Sequence, residues 1–417
     1  MSVTLESVVK AHHALKGIVR ITPLQYNEHL SERYDSNIYL KREDLQPVRS
    51  YKIRGAYYFL SLLTDEQKIN GIVTTSAGNH AQGVAYSCKL LGIKGKIFVP
   101  LTTPTQKIER TKKFGNAFVE VEKIGDTFDD TQKIALKYAR EQNAIYVPPF
   151  DHEAIISGQG TIALEVIEEL RREGKNVDCW IVPVGGGGLI SGVSLCAKSF
   201  YPNSLCLGVE SEDASSMAQA RKEGRPITLE KISTFVEGTA VKRVGNLTFN
   251  IAQKYVDDIV LVPEGKVCST MINLYNNEGI VTEPAGALSV AALDSISDKI
   301  KRKNVVCIIS GGNNDWGRLE EIEERSLLYE GLKHYFIIEF PQRPGALRSF
   351  LDDVLGENDD ITRFEYMKKT NKEFGPALVG IQLQKKADYA ELKRKLETHK
   401  IRHREITHDE TLFNYLV

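Results

Sequence analysis

Short apolar runs, closed by turn residues and separated by stretches of helical spacing, recur from residue 37 to about residue 318. Residues 71–75, 96–100, 180–184, 205–209 and 304–309 predict strands, and residues 37–40 form a further extended segment. Residues up to Leu91 and residues 189–199 predict helices between them. Near-continuous apolar strands alternating with helices indicate a parallel sheet covered on both faces, so the class is α/β.

The pattern changes at the charged run Leu319-Glu320-Glu321-Ile322-Glu323-Glu324-Arg325, which reads as a linker or as a solvated helix face. Beyond it come a strand at 334–340, a helix at 346–355, strands at 361–367 and 377–383, a helix at 387–398 and a strand at 402–406. In the first of these helices Leu347, Phe350, Leu351, Val354 and Leu355 share one face by their 3/4 spacing. The order βαββαβ is the α+β ferredoxin-like arrangement. The expected domains are residues 1–325 and 326–417.

With 417 residues, 42% hydrophobic and 26% charged, the chain has ample length for two such cores. Its 54 basic and 55 acidic residues give a net charge of −1, which offers no field for nucleic acid or an anionic membrane. The six cysteines show no CxxC pair and no histidine at ligand spacing, as expected of buried thiols in a reducing compartment. The N-terminus has charged residues and histidines where a signal peptide would be apolar. Residues 179–197 are uncharged, but Pro183 and a run of glycines suit a buried strand, loop and helix rather than a membrane span. A cytoplasmic location is expected.

Four segments carry candidate chemistry. Ser50-Tyr51-Lys52-Ile53-Arg54-Gly55-Ala56 sets a lysine where an extended segment gives way to a helix. Such a lysine is either a solvated charge or a pocketed amine able to form a Schiff base. Gly185-Gly186-Gly187-Gly188, with Leu189 next in the chain, lies between a strand and a helix, where backbone amides can crowd around a phosphate. No GxxxxGK[ST] accompanies it. Ser76-Ala77-Gly78-Asn79-His80 also follows a strand and opens a helix; its donors suit a carboxylate or ring hydroxyl, although Ser76 or Asn79 could serve simply as a helix cap. Ser310-Gly311-Gly312-Asn313-Asn314 ends the last apolar strand, where open parallel sheets hold ligands. An amine, a phosphate cup, an anion loop and a serine together describe a phosphorylated aldehyde bound to lysine, namely pyridoxal 5′-phosphate.

These blocks, in this order, resemble those of the fold-type II (tryptophan synthase β-like) pyridoxal-phosphate enzymes, and among them the threonine dehydratases, over residues 5–318. The segment from His334 to Leu347, with Pro341-Gln342-Arg343-Pro344-Gly345, is similar to the ACT-like regulatory domain of the biosynthetic forms. The resemblance implies a catalytic domain of two parallel-sheet subdomains. It makes Lys52 the Schiff-base lysine and catalytic base, Asn79 the partner of the ring hydroxyl, Gly185 to Leu189 the phosphate site and Ser310 the partner of the pyridine nitrogen. Ser76, Ala77, Gly78, Asn79 and His80 would hold the substrate carboxylate. The implied activity is conversion of L-threonine, and of L-serine, to the 2-oxo acid and ammonia in isoleucine biosynthesis. The implied effector is isoleucine, or valine, and the implied assembly is a homotetramer built as a dimer of dimers.

Two departures bear on this. Serine racemases resemble Glu-x-x-x-Ala-x-Asp at a metal site, whereas here Glu210 and Ala214 are followed by Ser216, so no metal is expected. Long biosynthetic forms carry two regulatory repeats, whereas about 90 residues leave room for one here. A degradative serine/threonine dehydratase and an idle amino-acid sensor are the alternatives.

Overall fold

The computed structural model describes residues 3–369 and 371–417. The chain divides into two compact units, Met1–Asp315 and Trp316–Val417. The first contains strands β1 (Leu24–Tyr26), β2 (Asn37–Arg42), β3 (Ile72–Thr75), β4 (Gly95–Val99), β5 (Val119–Lys123), β6 (Ile145–Tyr146), β7 (Cys179–Pro183), β8 (Leu205–Ser211), β9 (Asp258–Val262) and β10 (Asn304–Ile309). They form two sheets, ordered β1-β2-β10-β7-β8-β9 and β5-β4-β3-β6. Pairing is parallel throughout, save that β1 lies antiparallel to β2 at the sheet edge. This is the expected α/β body with two parallel-sheet subdomains.

The strands read from apolar runs are the buried ones: every residue of β3 and β7 is buried. The helices Glu153–Arg172 and Gly188–Phe200 pack with β7 and β10 in one cluster that includes Ile162, Val166, Ile190, Val193, Trp180 and Ile308. Burying side chains of this size contributes about 1.5–3 kcal/mol each before ordering costs are counted. The strands without such runs are short or lie at edges. In β5 the sequence Val-Glu-Val-Glu-Lys has no fully buried residue.

The second unit has strands β11 (Lys333–Pro341), β12 (Asp360–Tyr366), β13 (Phe374–Gln382) and β14 (His403–Glu405), in the antiparallel order β12-β13-β11-β14. Helices Ala346–Val354 and Asp388–Thr398 complete the βαββαβ order. Phe350, Val354, Leu392 and Leu396 pack on Phe336, Val379 and Ile381. Leu347 and Leu351 stay partly exposed, so the buried stripe of the first helix is narrower than its spacing predicts. The charged run after Arg318 is a helix, Leu319–Glu330, whose Leu328 packs with Tyr335 and Ile406 in this unit. Among the described residues no helix is long and apolar enough to cross a membrane.

Candidate active site

Four loops meet where strands of the first unit end. Beyond β2 the chain turns through Glu43–Leu45 and forms an isolated bridge between Ser50 and Gly311. The Tyr51 N–H donates to the Ser310 carbonyl at 3.2 Å. Lys52, the first residue of the helix Lys52–Ser61, is thereby fixed beside the end of β10. From the other side Gly83 approaches so closely that a Cβ there would lie 3.0 Å from the Lys52 carbonyl carbon. Any larger residue would have to push the two helices apart by a few tenths of an ångström.

Arg54 anchors the same helix from behind. Its guanidinium is fully buried and donates to Glu43 (2.8 Å), to Glu165 (2.5 and 2.9 Å) and to Thr161 (3.1 Å). Glu165 also accepts from Lys41 at 2.7 Å, and Glu43 accepts from Thr22 at 2.6 Å. Two cations thus balance two carboxylates in the core, which is the condition under which buried charge is tolerated. Burial alone would raise the Glu165 carboxyl, but the Arg54 and Lys41 charges outweigh it and hold the pKa below the ordinary value.

Lys52 Nζ donates to the Pro149 carbonyl at 3.1 Å and lies 5.3 Å from the Tyr51 ring centroid. Burial lowers its pKa to about 8, against the opposing pull of Glu283. About a tenth of the amine is therefore unprotonated at pH 7, far more than for an ordinary lysine, and able to attack a carbonyl.

The glycine loop follows β7. Gly187 has φ +92°, and a Cβ on Gly186 would sit 2.2 Å from Cδ1 of Phe150. The Gly186 carbonyl accepts from Thr248 Oγ1 at 2.7 Å and from the Gly245 N–H at 3.4 Å. The loop's acceptor side is thus committed to protein at Gly186, and its backbone runs into the N-terminus of the helix Gly188–Phe200. Asp151 braces the far wall by accepting from the backbone N–H groups of Asn246, Leu247 and Thr248.

After β3, Ser76 Oγ accepts from the Gly78 N–H at 3.2 Å, and the helix begins at Asn79 without a side-chain cap. Neither Ser76 nor Asn79 is an N-cap. Asn79 Nδ2 donates to Glu283 Oε1 at 2.6 Å, and Asn79 Oδ1 accepts from Asn313 at 2.7 Å. His80 is buried, with Nε2 3.2 Å from the Val147 carbonyl. Burial and the Lys52 charge push its pKa down to about 3, so the ring is neutral. Ser310 Oγ donates to the Ala285 carbonyl at 3.2 Å.

Lys52, Ser76, Ala77, Gly78, Asn79, His80, Gly185, Gly186, Gly187, Gly188, Leu189 and Ser310 all line one cavity of about 980 Å³. Sequence reasoning missed Pro149 and Phe150, whose apolar character reads as core, and Glu283, which precedes Pro284 like an ordinary helix-start acid. Burial raises the Glu283 pKa to about 7. Away from the cavity, Glu210 accepts from the N–H groups of Met217 and Ala218 at 2.8 and 2.9 Å, and so caps the helix Ser216–Glu223.

The donor set suits pyridoxal 5′-phosphate: an amine of lowered pKa, a glycine loop at a helix N-terminus, and Asn79 and Ser310 on the same walls. Gln82 and Asn314 line the same cavity, and their buried Oε1 and Oδ1 atoms have no hydrogen-bond partner among the described residues. Residues 15–311 match the family described as pyridoxal-phosphate dependent enzyme. Residues 324–416 match the C-terminal regulatory domain of threonine dehydratase. Fold and site together define a fold-type II pyridoxal-phosphate enzyme.

The L-threonine dehydratase biosynthetic IlvA of Bacillus subtilis (strain 168) is 53% identical over 415 residues, covering 100% of this chain and 98% of its own. That of Lactococcus lactis subsp. lactis (strain IL1403) is 49% identical over 415 residues, covering 100% of both. Among solved structures, the processed form of threonine deaminase isoform 2 from Solanum lycopersicum superposes with a TM-score of 0.72 at 36% identity, covering 78% of this chain and 96% of its own. Maize serine racemase gives 0.71 at 30%, covering 79% and 99%. The chain belongs to the biosynthetic threonine dehydratases.

Proposed function

We propose that this enzyme is a threonine ammonia-lyase that converts L-threonine to 2-oxobutanoate and ammonia, and L-serine to pyruvate and ammonia, at the entrance to isoleucine biosynthesis. The observation that carries this reading is the meeting of Lys52, the glycine loop, Asn79 and Ser310 around one cavity. Pyridoxal 5′-phosphate, when bound, supplies the electron sink for charge that develops at the substrate Cα.

Lys52 would hold the cofactor through its amine, with Gly185 to Leu189 at the phosphate, Asn79 at the ring hydroxyl and Ser310 at the pyridine nitrogen. With threonine bound, the Lys52 amine would take the Cα proton. Its lowered pKa suits that task, because a base works best with a pKa near the operating pH. Ser76, Ala77, Gly78, Asn79 and His80 orient the substrate carboxylate, with His80 contributing shape rather than charge. Ser310 offers a neutral hydroxyl where a carboxylate would hold a proton on the ring. The β-hydroxyl leaves as water, and the dehydrated product hydrolyses to the oxo acid and ammonia.

Catalysis is assigned to residues 1–325 and regulation to residues 326–417, with isoleucine as feedback inhibitor and valine as a second candidate effector. A homotetramer in the cytoplasm completes the proposal. Purified enzyme should form 2-oxobutanoate from threonine and lose the activity as isoleucine is added. Turnover of serine and threonine without any isoleucine response would favour a degradative dehydratase, and a cofactor spectrum without turnover would favour a sensor.

A further inference from the structure

Asn313 belongs to the strand-end block but has no part in the chemistry assigned above. Its amide is pinned by two groups that cannot exchange roles. The Val48 carbonyl can only accept, and it lies 2.9 Å from Asn313 Nδ2. The Arg110 guanidinium can only donate, and it lies 3.4 Å from Asn313 Oδ1. Both demand the same orientation of the Asn313 amide.

That orientation passes to the next residue. The second Nδ2 hydrogen of Asn313 meets Asn79 Oδ1 at 2.7 Å, so the Asn79 oxygen must face Asn313 and its Nδ2 must face away. One Nδ2 hydrogen is then taken by Glu283 Oε1 at 2.6 Å. Glu283 is held in turn by the Asn313 backbone N–H, and it fits there because residue 311 is glycine: a Cβ would lie 2.4 Å from Glu283 Oε1. Asn79 lines the cavity, and its other Nδ2 hydrogen is not engaged by the Glu283 bond.

We propose that Asn313 and Glu283 are positioning residues that lock Asn79 as a hydrogen-bond donor toward the ring oxygen of the cofactor. This rests on the reading of the cavity as a pyridoxal-phosphate site. An amide free to flip would also present its oxygen to that electron-rich edge. The locked amide presents only N–H, and the Arg110 guanidinium and the Val48 carbonyl set that polarity through Asn313.

The test is the equilibrium dissociation constant of pyridoxal phosphate, measured by absorbance titration of the full-length apoenzyme. Asn313→Asp has nearly the same shape but cannot donate to Val48 or Asn79, and Kd should rise roughly tenfold with a shifted visible maximum. Glu283→Gln keeps an acceptor and should stay within about threefold, whereas Glu283→Ala should match Asn313→Asp. In an Asn79→Ala background the Asn313→Asp substitution should have no further effect, because its influence passes through Asn79. Multiplying effects in that double variant, or a wild-type Kd and spectrum in Asn313→Asp, would overturn the positioning role alone. A wild-type protein that binds no pyridoxal phosphate would overturn both this and the function it rests on.

Discussion

Replacing Arg54 by methionine should destabilise the scaffold that presents Lys52. The substitution nearly conserves side-chain volume but removes the guanidinium from a fully buried site, leaving Lys41 alone against Glu43 and Glu165. Uncompensating a buried pair costs about 3–5 kcal/mol. With a urea slope near 3 kcal/mol/M, the upper end of the usual range, the unfolding midpoint should fall by roughly 1–1.7 M. Tryptophan fluorescence is a suitable readout, because Trp180 is fully buried in the first unit and Trp316 is mostly exposed in the second. Adding Glu43→Leu should recover a third or more of the loss, since the Lys41–Glu165 pair at 2.7 Å remains balanced. The residual cost includes the Thr22 hydroxyl and the Gln46 amide, which lose their acceptors at 2.6 and 3.3 Å. The reasoning fails if Arg54→Met alone moves the midpoint by under about 0.3 M, or if the two substitutions add.

Two further outcomes can be checked in the site itself. Lys52 has a pKa of about 8, below its ordinary value, so the reactive free amine increases as pH rises through 8. Stopped-flow uptake of pyridoxal phosphate by the apoenzyme should accelerate about tenfold per pH unit below that point and level off above it; a profile still rising steeply at pH 10 would mean the amine is an ordinary solvated one. Gly186→Ala drives a methyl into the Phe150 ring, 2.2 Å away, and should weaken cofactor binding at least tenfold with a stability loss of about 1–3 kcal/mol. Phe150→Ala should restore part of that binding, and no restoration would place the conflict elsewhere.

Burial decides which elements were legible in the sequence. Strands β7 and β10 lie inside the six-stranded sheet, so β7 throughout and β10 beyond Asn304 are apolar and buried and stand out as runs. β6 has only two residues and β1 only three, too few to carry a period, and β5 alternates with charged residues at a sheet edge. The second unit was legible for a different reason: β11 and β13 are nine residues each, flanking helices with clear 3/4 spacing. The charged run at residues 319–325 admitted two readings by composition, because a solvated helix face and a linker look alike until a packing partner such as Tyr335 is known.

The same logic divides the site. Lysine, clustered glycines and strand-end serine announce themselves because their residue types are unusual in those positions. Glu283 and Asn313 do not, since an acid before proline and an asparagine in a turn are ordinary. Their roles arise from contacts across more than 200 residues of chain, as in the 2.6 Å bond between Asn79 and Glu283. Arg54 lay inside the most informative motif, yet its partners Glu43 and Glu165 come from a turn and a distant helix that only the fold brings together.

The most direct test compares 2-oxobutanoate formation from L-threonine by the wild-type enzyme and by Lys52→Ala, each supplied with pyridoxal phosphate. The wild type should show a bound-cofactor absorbance and turn over. Lys52→Ala should lose that absorbance and at least roughly 10³-fold in rate. A Lys52→Ala protein that kept both, or a wild type that bound cofactor and formed no 2-oxobutanoate, would contradict the account.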